Sequence, residues 1–378
     1  MEFSFSEEQV QIKDLANQIL RDNCTDDFLM SFSKSGELYS QQLWQLFAES
    51  GLLGMAIPEA YGGSGFGLTE LCQMLEEQGR HVAPIPLLPS LVLGGLPIAR
   101  FGSEEQKNSY LPGLAAGEKI LTAAIAEETM ATAMRASCTA EQTGEMWTLN
   151  GERIAVPYAE QAAAMLTIAE TTEGKAVFIV EKTASGISTE YCDSANHEPL
   201  YAVTFNNTAA RLLGSTGQGD EIINFMLNNA KVAACATMIG ITEEALKRTA
   251  EYTSERKQFG TSISSFQNTT IKLADCYIDI ECLRSTYYEA MWKLDNDYKA
   301  DDEGKTAKWW ACISGHRVTH IAQHLHGGIG ADIEYPLHRY YIWFKQMDLA
   351  TGGGNKQLAE LGALLAQDNA LNLLPETA

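Results

Sequence analysis

Glu255-Arg256-Lys257-Gln258-Phe259-Gly260, followed by Phe266-Gln267, is the stretch from which the rest of the chain is read. It sets an arginine, an aromatic ring and a glutamine around the end of a helical pattern, with Gly260 as its stop. Arg256 and Gln267 lie eleven positions apart (267 − 256). A guanidinium is a permanently charged planar fork that suits a pyrophosphate. A primary amide both donates to and accepts from an adenine or ribose edge. Taken alone, the stretch is more simply a helix terminus. A second run gives it a companion: His324-Leu325-His326-Gly327-Gly328-Ile329-Gly330, followed by Glu334-Tyr335-Pro336.

The chain has 378 residues, 45% of them hydrophobic, enough for a large core and two or three domains. No window approaches the roughly 18 to 20 uninterrupted apolar residues that span a bilayer. Met1-Glu2-Phe3-Ser4 lacks the basic and apolar regions of a signal peptide, so a soluble cytoplasmic protein is expected. Eight cysteines are scattered without a Cys-x-x-Cys pair, which argues against a disulfide framework or a cysteine metal site. His316-Arg317 and His320 share one helix, and no metal is expected there. A formal charge of −22 argues against nucleic acid and anionic membrane as partners. An anionic ligand would need a local basic cluster.

Residues 1–120 read as an N-terminal helical domain. Ser6 before Glu7-Glu8-Gln9 and Ser103 before Glu104-Glu105-Gln106 have the form of capping boxes. Helical spacing recurs over 42–53 and 68–80, separated by turn-rich Pro58–Gly65. From 121 the texture becomes short apolar or alternating runs, with Asn150-Gly151 as a hairpin-turn signal, and 121–220 reads as a central β-domain. Gly214-Ser215-Thr216-Gly217-Gln218-Gly219 lacks the lysine of a phosphate loop and reads as a plain connection. Residues 221–378 read as a C-terminal helical bundle. The fold class is mainly α with a central β-domain. Glu243-Glu244 with Lys247-Arg248 reads as i,i+4 pairing on an exposed helix face, and Trp309-Trp310 and Tyr340-Tyr341 read as packing aromatics.

Together these segments resemble the acyl-CoA dehydrogenase family along nearly the whole chain. The resemblance runs through Phe3–Gln9, Gly51–Gly54, Pro58–Gly63, Gly102–Lys107, Leu111–Gly117 and Leu149–Arg153 to the two runs quoted first. It implies a helical N-domain, a β-barrel-like middle domain and a C-terminal four-helix bundle. It also implies FAD, an acyl-CoA substrate, assembly with a related acyl-CoA dehydrogenase subunit, and electron-transfer flavoprotein as acceptor. In that family a carboxylate removes the α-proton of the thioester while the flavin accepts a hydride.

Carried over position by position, the resemblance is uneven. Arg256, Phe259 and Gln267 match residues that reach the FAD of a neighbouring subunit, and Gly327 and Gly328 match the turn beside that FAD. His324 stands where glutamine is usual. At the flavin end the family's Thr-Glu-Pro-x-x-Gly-Ser segment has become Ala126–Thr132, in which Ala126 removes the threonine's hydroxyl and Thr132 keeps that of the serine. Ala155-Val156-Pro157 replaces a flavin wall, and the proline removes a backbone donor. The usual catalytic glutamate falls on Thr351, and the alternative base position on Ala230, before Lys231. Neither residue abstracts a proton; Asp348 is the nearest carboxylate in sequence. Three readings remain: the subunit of a heteromer acting on bulky, steroid-like acyl-CoA thioesters and completing its partner's FAD site; a self-sufficient homomeric enzyme with an unconventional base; and a non-catalytic structural or acyl-binding relative.

Overall fold

Residues 5–126, 138–144 and 146–367 are described by a computed structural model of the chain. Ser6 caps α1 (Glu7–Asn23) in a full capping box with Gln9. Next come α2 (Asp26–Ser35), α3 (Gln41–Glu49) and α4 (Leu68–His81). A π-helical turn, Leu88–Gly95, leads into α5 (Leu96–Phe101). Ser103 caps α6 (Glu104–Ala115), again with a reciprocal glutamine, Gln106. Both boxes satisfy two otherwise orphaned N–H groups, as the sequence predicts.

The strands follow: β1 (Leu121–Ala124), β2 (Thr139–Thr143), β3 (Met146–Pro157), β4 (Ala164–Thr171), β5 (Gly174–Glu181), β6 (Ile187–Cys192) and β7 (Leu200–Leu212). β4 pairs β2, β2 pairs β3, β3 pairs β7, β7 pairs β5 and β5 pairs β4, so the sheet closes on itself. Closure leaves few free edges. β1 and β6 add to it outside the ring. Leu149, Val156, Met165, Phe178, Val203 and Phe205 fill the interior.

Asn150-Gly151 does not make the expected hairpin turn. It lies inside β3, where the register with β7 slips between Leu149 and Gly151. The Asn150 carboxamide oxygen accepts from Asn207 N–H at 2.8 Å. A Cβ on Gly151 would stand 2.6 Å from Cys138 Cα. The glycine therefore serves a bulge and a close strand approach.

Helices resume with α7 (Gly219–Glu255), followed by the small hairpin β8 (Lys257–Gln258) and β9 (Thr261–Ser262). The remaining helices are α8 (Gln267–Asp295), α9 (Asp301–His326), α10 (Leu337–Ala350) and α11 (Gly354–Gln367). The order helix, strand, helix is that of a helical N-terminal domain, a central β-domain and a C-terminal helical domain. α7 is apolar and long enough to cross a membrane by composition, but 78% of its apolar window is buried in protein.

By contacts the chain forms two compact units. One comprises Ser31–Leu71 and Pro84–Ala230 and carries the closed sheet. The other comprises residues up to Met30, Cys72–Ala83, and those from Lys231 onward. In the second unit the Glu243–Arg248 cluster departs from expectation. Only Glu244–Arg248 and Glu244–Lys247 pair along the helix. Glu243 turns to Arg80, at 2.7 Å, and to Arg284, and Arg248 reaches Asp26 at 2.8 Å. The face is packed rather than solvated, because α4 and α8 bring charges to it. Trp310 and Tyr340 behave as packing aromatics, their polar tips donating to the Asp279 and Arg80 carbonyls.

Lys308 is fully buried on α9. Its ammonium donates to the carbonyls of Met347 (2.9 Å) and Asp348 (3.0 Å), at the negative end of α10. Lys308→Met keeps the stem but strands those carbonyls. The expected loss is about 1–3 kcal/mol, measured as a shift in the urea midpoint at constant m-value.

His81, at the end of α4, meets Asn17 Oδ1 at 3.2 Å. Burial, then the neighbouring Arg80 and Arg248 charges, push its pKa down to about 4. The unfolded chain therefore takes up a proton that the folded chain refuses. This contribution to stability is complete above about pH 6.5 and is lost progressively as pH falls toward 4. The wild-type Tm is expected to fall more steeply between pH 6.5 and 5 than that of His81→Gln.

Candidate functional site

α7 ends at Glu255, and the chain turns at once into the β8–β9 hairpin, so Gly260 is a hairpin residue rather than the helix stop. The two-residue loop is Phe259-Gly260, with φ of 57° and 84°. Positive φ at both positions matches the twist of a tight hairpin, but the first place normally goes to asparagine, aspartate or glycine. Phenylalanine there is a strained choice, and such choices gather at functional sites. The ring is 94% exposed and edge-on to Phe266, with centroids 6.4 Å apart.

Arg256 sits at the base of the hairpin, its backbone tied to Tyr252 O and Ile263 N. Its guanidinium is exposed and makes no hydrogen bond or ion pair among the described residues. Gln267, also exposed, is the first residue of α8. Phe266 precedes it as an N-cap that has no side-chain hydrogen bond to offer, so the positive end of that helix is open.

The second run closes α9. His324 is exposed, and Gly327 turns the chain with φ 65° and ψ −144°, a conformation glycine alone adopts readily. A Cβ at Gly327 or Gly328 would meet nothing within 4 Å, so the turn presents bare backbone. Within this unit the structure thus offers an unpaired cationic fork, an exposed ring, a free amide, an imidazole and an open glycine turn. This donor set suits a dinucleotide: the fork for pyrophosphate, the amide and imidazole for adenine or ribose edges. The residues fit the FAD that the sequence resemblance implies, a cofactor that would supply a hydride acceptor.

The surroundings of Ala230 and Thr351 look different. Ala230 is buried in α7. Thr351 caps the C-terminus of α10; its carbonyl accepts from Gln357 Nε2 at 3.0 Å, and its hydroxyl is buried without a partner. Asp348 contributes its backbone carbonyl to Lys308. Thr132 lies outside the described residues. Ala155, at the flavin end, stands at φ 50° beside a second bulge in β3.

Sequence reading passed over the buried lysines around these positions. Lys231 and Lys305 are nearly buried, and Lys308 completely so. Burial and then Lys305 push the Lys231 ammonium down to about 8, and Glu360 lies 3.8 Å away. Adjacency of Lys231 to Ala230 was the available signal. His316 and His320 stand one turn apart with ring centroids at 4.2 Å. Lys345 Nζ lies 2.6 Å from His316 Nδ1 and Tyr341 faces His320 Nε2 at 3.3 Å. Among the described residues no group of three or more His, Cys, Asp or Glu could hold a metal ion.

Comparison with known proteins identifies the family. Residues 6–118 match the acyl-CoA dehydrogenase N-terminal domain, and residues 217–365 match the acyl-CoA dehydrogenase C-terminal domain. Acyl-CoA dehydrogenase FadE27 of Mycobacterium tuberculosis is 34% identical, over 98% of this chain and 100% of that protein. A variant of the Tcur3481-Tcur3483 steroid ACAD superimposes with a TM-score of 0.91 at 39% identity, covering 96% of this chain and 99% of that one. The ChsE4-ChsE5 complex from Mycobacterium tuberculosis gives 0.91 at 33% identity, covering 97% and 99%. With its helix–strand–helix order, its two matched domains and these likenesses, the chain belongs to the acyl-CoA dehydrogenase family of FAD-dependent oxidoreductases.

Proposed function

We propose that this chain is the partner-dependent subunit of a heteromeric, cytoplasmic acyl-CoA dehydrogenase. Its C-terminal unit completes the FAD site of a related subunit, and that subunit supplies the base. One observation carries the reading: an open dinucleotide face of Arg256, Phe259, Gln267, His324, Gly327 and Gly328 in a chain whose two base positions are Thr351 and Ala230. A residue set that serves its own chain's chemistry would keep the carboxylate. The likeness to the steroid ACAD and to the ChsE4-ChsE5 complex favours a bulky, steroid-like acyl-CoA thioester as substrate, with electrons passing on to electron-transfer flavoprotein.

In this arrangement Arg256 neutralises pyrophosphate charge across the interface, while Gln267 and His324 fix the adenine end. The Gly327-Gly328 backbone lies against the cofactor, and Phe259 covers it from water. Thr351, a neutral hydroxyl, does not take the α-proton. The closed β-domain holds its half of the architecture and takes no chemical step.

Colour tests the reading. The chain purified alone is expected to be colourless and to become a yellow complex when co-expressed with a related chain that carries the glutamate. A chain that is yellow and active alone would instead support the self-sufficient enzyme, with Asp348 as its first candidate base.

Thr351→Ala is expected to leave dehydrogenation within a few-fold of wild type in the complex, whereas removing a true base costs about 10²-fold or more. Steady-state rates at saturating acyl-CoA decide between the two.

Arg256→Ala is expected to weaken FAD retention in the assembled complex by roughly ten- to hundred-fold, the loss of one charge-assisted contact. Lysine should restore only part of it. Flavin released from the purified complex, quantified by absorbance, gives the measurement.

A further inference from the structure

The two halves of the dinucleotide face come from different helices, α7 and α9, and something must hold them at a fixed spacing. Tyr252, one turn before Arg256 on α7, lies flat against the ring of His326, the last residue of α9. The centroids are 4.2 Å apart and the planes 19° from parallel. The Tyr252 hydroxyl also reaches His326 O at 3.5 Å. Arg256 N–H bonds back to Tyr252 O at 2.8 Å, so the hairpin is anchored on the same residue that makes the stack.

The glycine turn is wound around that ring. Gly327 follows His326 directly, and a Cβ on Gly330 would stand 3.1 Å from His326 Cβ. Tyr335 closes the other side, its ring centroid 5.5 Å away. His326 is buried, with Nδ1 2.8 Å from the Ala322 carbonyl. That geometry makes Nδ1 the donor, and Nε2 is buried with no partner among the described residues. Burial holds its pKa below the ordinary value, partly opposed by the Ala322 carbonyl. The ring is therefore a neutral wedge. A surface residue would leave both nitrogens in water, and a metal ligand would not bury its free nitrogen.

We infer that the Tyr252–His326 stack is the joint that sets Arg256 and the Gly327-Gly328 turn in register, making Tyr252 and His326 positioning residues for the FAD face. Neither need touch the cofactor. The inference rests on the proposed cofactor role of this face and adds to it the element that determines its geometry. Two flat rings in contact fix both separation and tilt, which a single hydrogen bond between helix ends does not.

The test uses the assembled complex and titrates FAD into its flavin-depleted form. Tyr252→Ala and His326→Ala are each expected to weaken FAD binding about ten-fold. The double variant should be no weaker than the worse single, because both remove one shared contact. His326→Phe keeps the stack without the stranded nitrogen and should retain near-wild-type affinity, as should Tyr252→Phe. Urea midpoints of the same variants report folding separately, so a variant that fails to fold is recognised, and the two phenylalanine variants then carry the test. Additive losses in the double variant would overturn the inference, as would phenylalanine variants that fold normally and bind FAD as poorly as the alanine ones. Arg256→Ala in the same titration separates the two levels. If it leaves FAD binding unchanged, the cofactor reading of the face fails. If it weakens binding while the alanine variants of Tyr252 and His326 do not, only the joint fails.

Discussion

A buried set of charges holds the second unit together. Glu76 on α4 is almost completely enclosed, yet it accepts from Lys13 of α1 at 2.7 Å, Arg80 at 3.2 Å and Arg284 of α8 at 3.3 Å. Burial alone would raise its pKa; the Lys13 and Arg284 charges outweigh that and hold it below the ordinary carboxylate range. Glu77 beside it goes the other way, since burial outweighs Arg80 and Lys13. Glu243 of α7 closes the circuit through Arg80 and Arg284. Four helices thereby share one network, in which every charge has at least two opposite partners, so the loss of one member weakens the set without stranding its neighbours. The helices that come together there approach closely: a Cβ on Gly240 would fall 1.8 Å from Glu76 O, and one on Gly79 2.0 Å from Thr237 O. Packing and charge thus fix the same crossing, from which α7 runs on to Tyr252 and Arg256.

Much of this was legible in the chain, for identifiable reasons. The capping boxes at Ser6 and Ser103 are local, so sequence and structure agree on them. The change of texture near 121 and the return of helical spacing after 219 reflect periodicity, which survives tertiary packing. Asn150-Gly151 misled because a glycine beside asparagine signals positive φ without saying whether a turn or a bulge requires it. Glu243 misled for a different reason. Its i,i+4 neighbours are visible in sequence, whereas Arg80 and Arg284 are brought to it from 163 and 41 residues away. Arg256, Phe259, Gln267 and His324 could be singled out in sequence because recognisable types fall in recognisable runs, and the structure leaves all four exposed. Tyr252 could not be singled out, since a tyrosine one turn before a helix end carries no mark of what it will stack on.

The loop at Thr351 and the surface formed by Arg256, Phe259, Gln267 and the Gly327-Gly328 turn differ in kind. The face is open and held in a strained hairpin and a glycine-specific turn. The loop at Thr351 is closed off: Gln357 holds the carbonyls of Thr351 and Gly352, and Lys308 holds those of Met347 and Asp348. Polar side chains that satisfy backbone carbonyls occupy the region, so the loop keeps its shape without a carboxylate at Thr351.

The exposed ring of Phe259 also bears on the life of the chain before assembly. Phe259, Ile271, Tyr277, Ile278 and Ile333 are all more than or equal to half exposed, an apolar load that invites sticking between copies. The charge of −22 opposes it, because like-charged chains repel at the distances where apolar contact would begin. Acidity here keeps copies of the chain dispersed despite that exposed apolar surface. Such protection is bounded by ionic strength: with a screening length of about 8 Å under physiological salt and about 3 Å at molar salt, concentrated electrolyte would strip the repulsion and leave the apolar side chains to find one another.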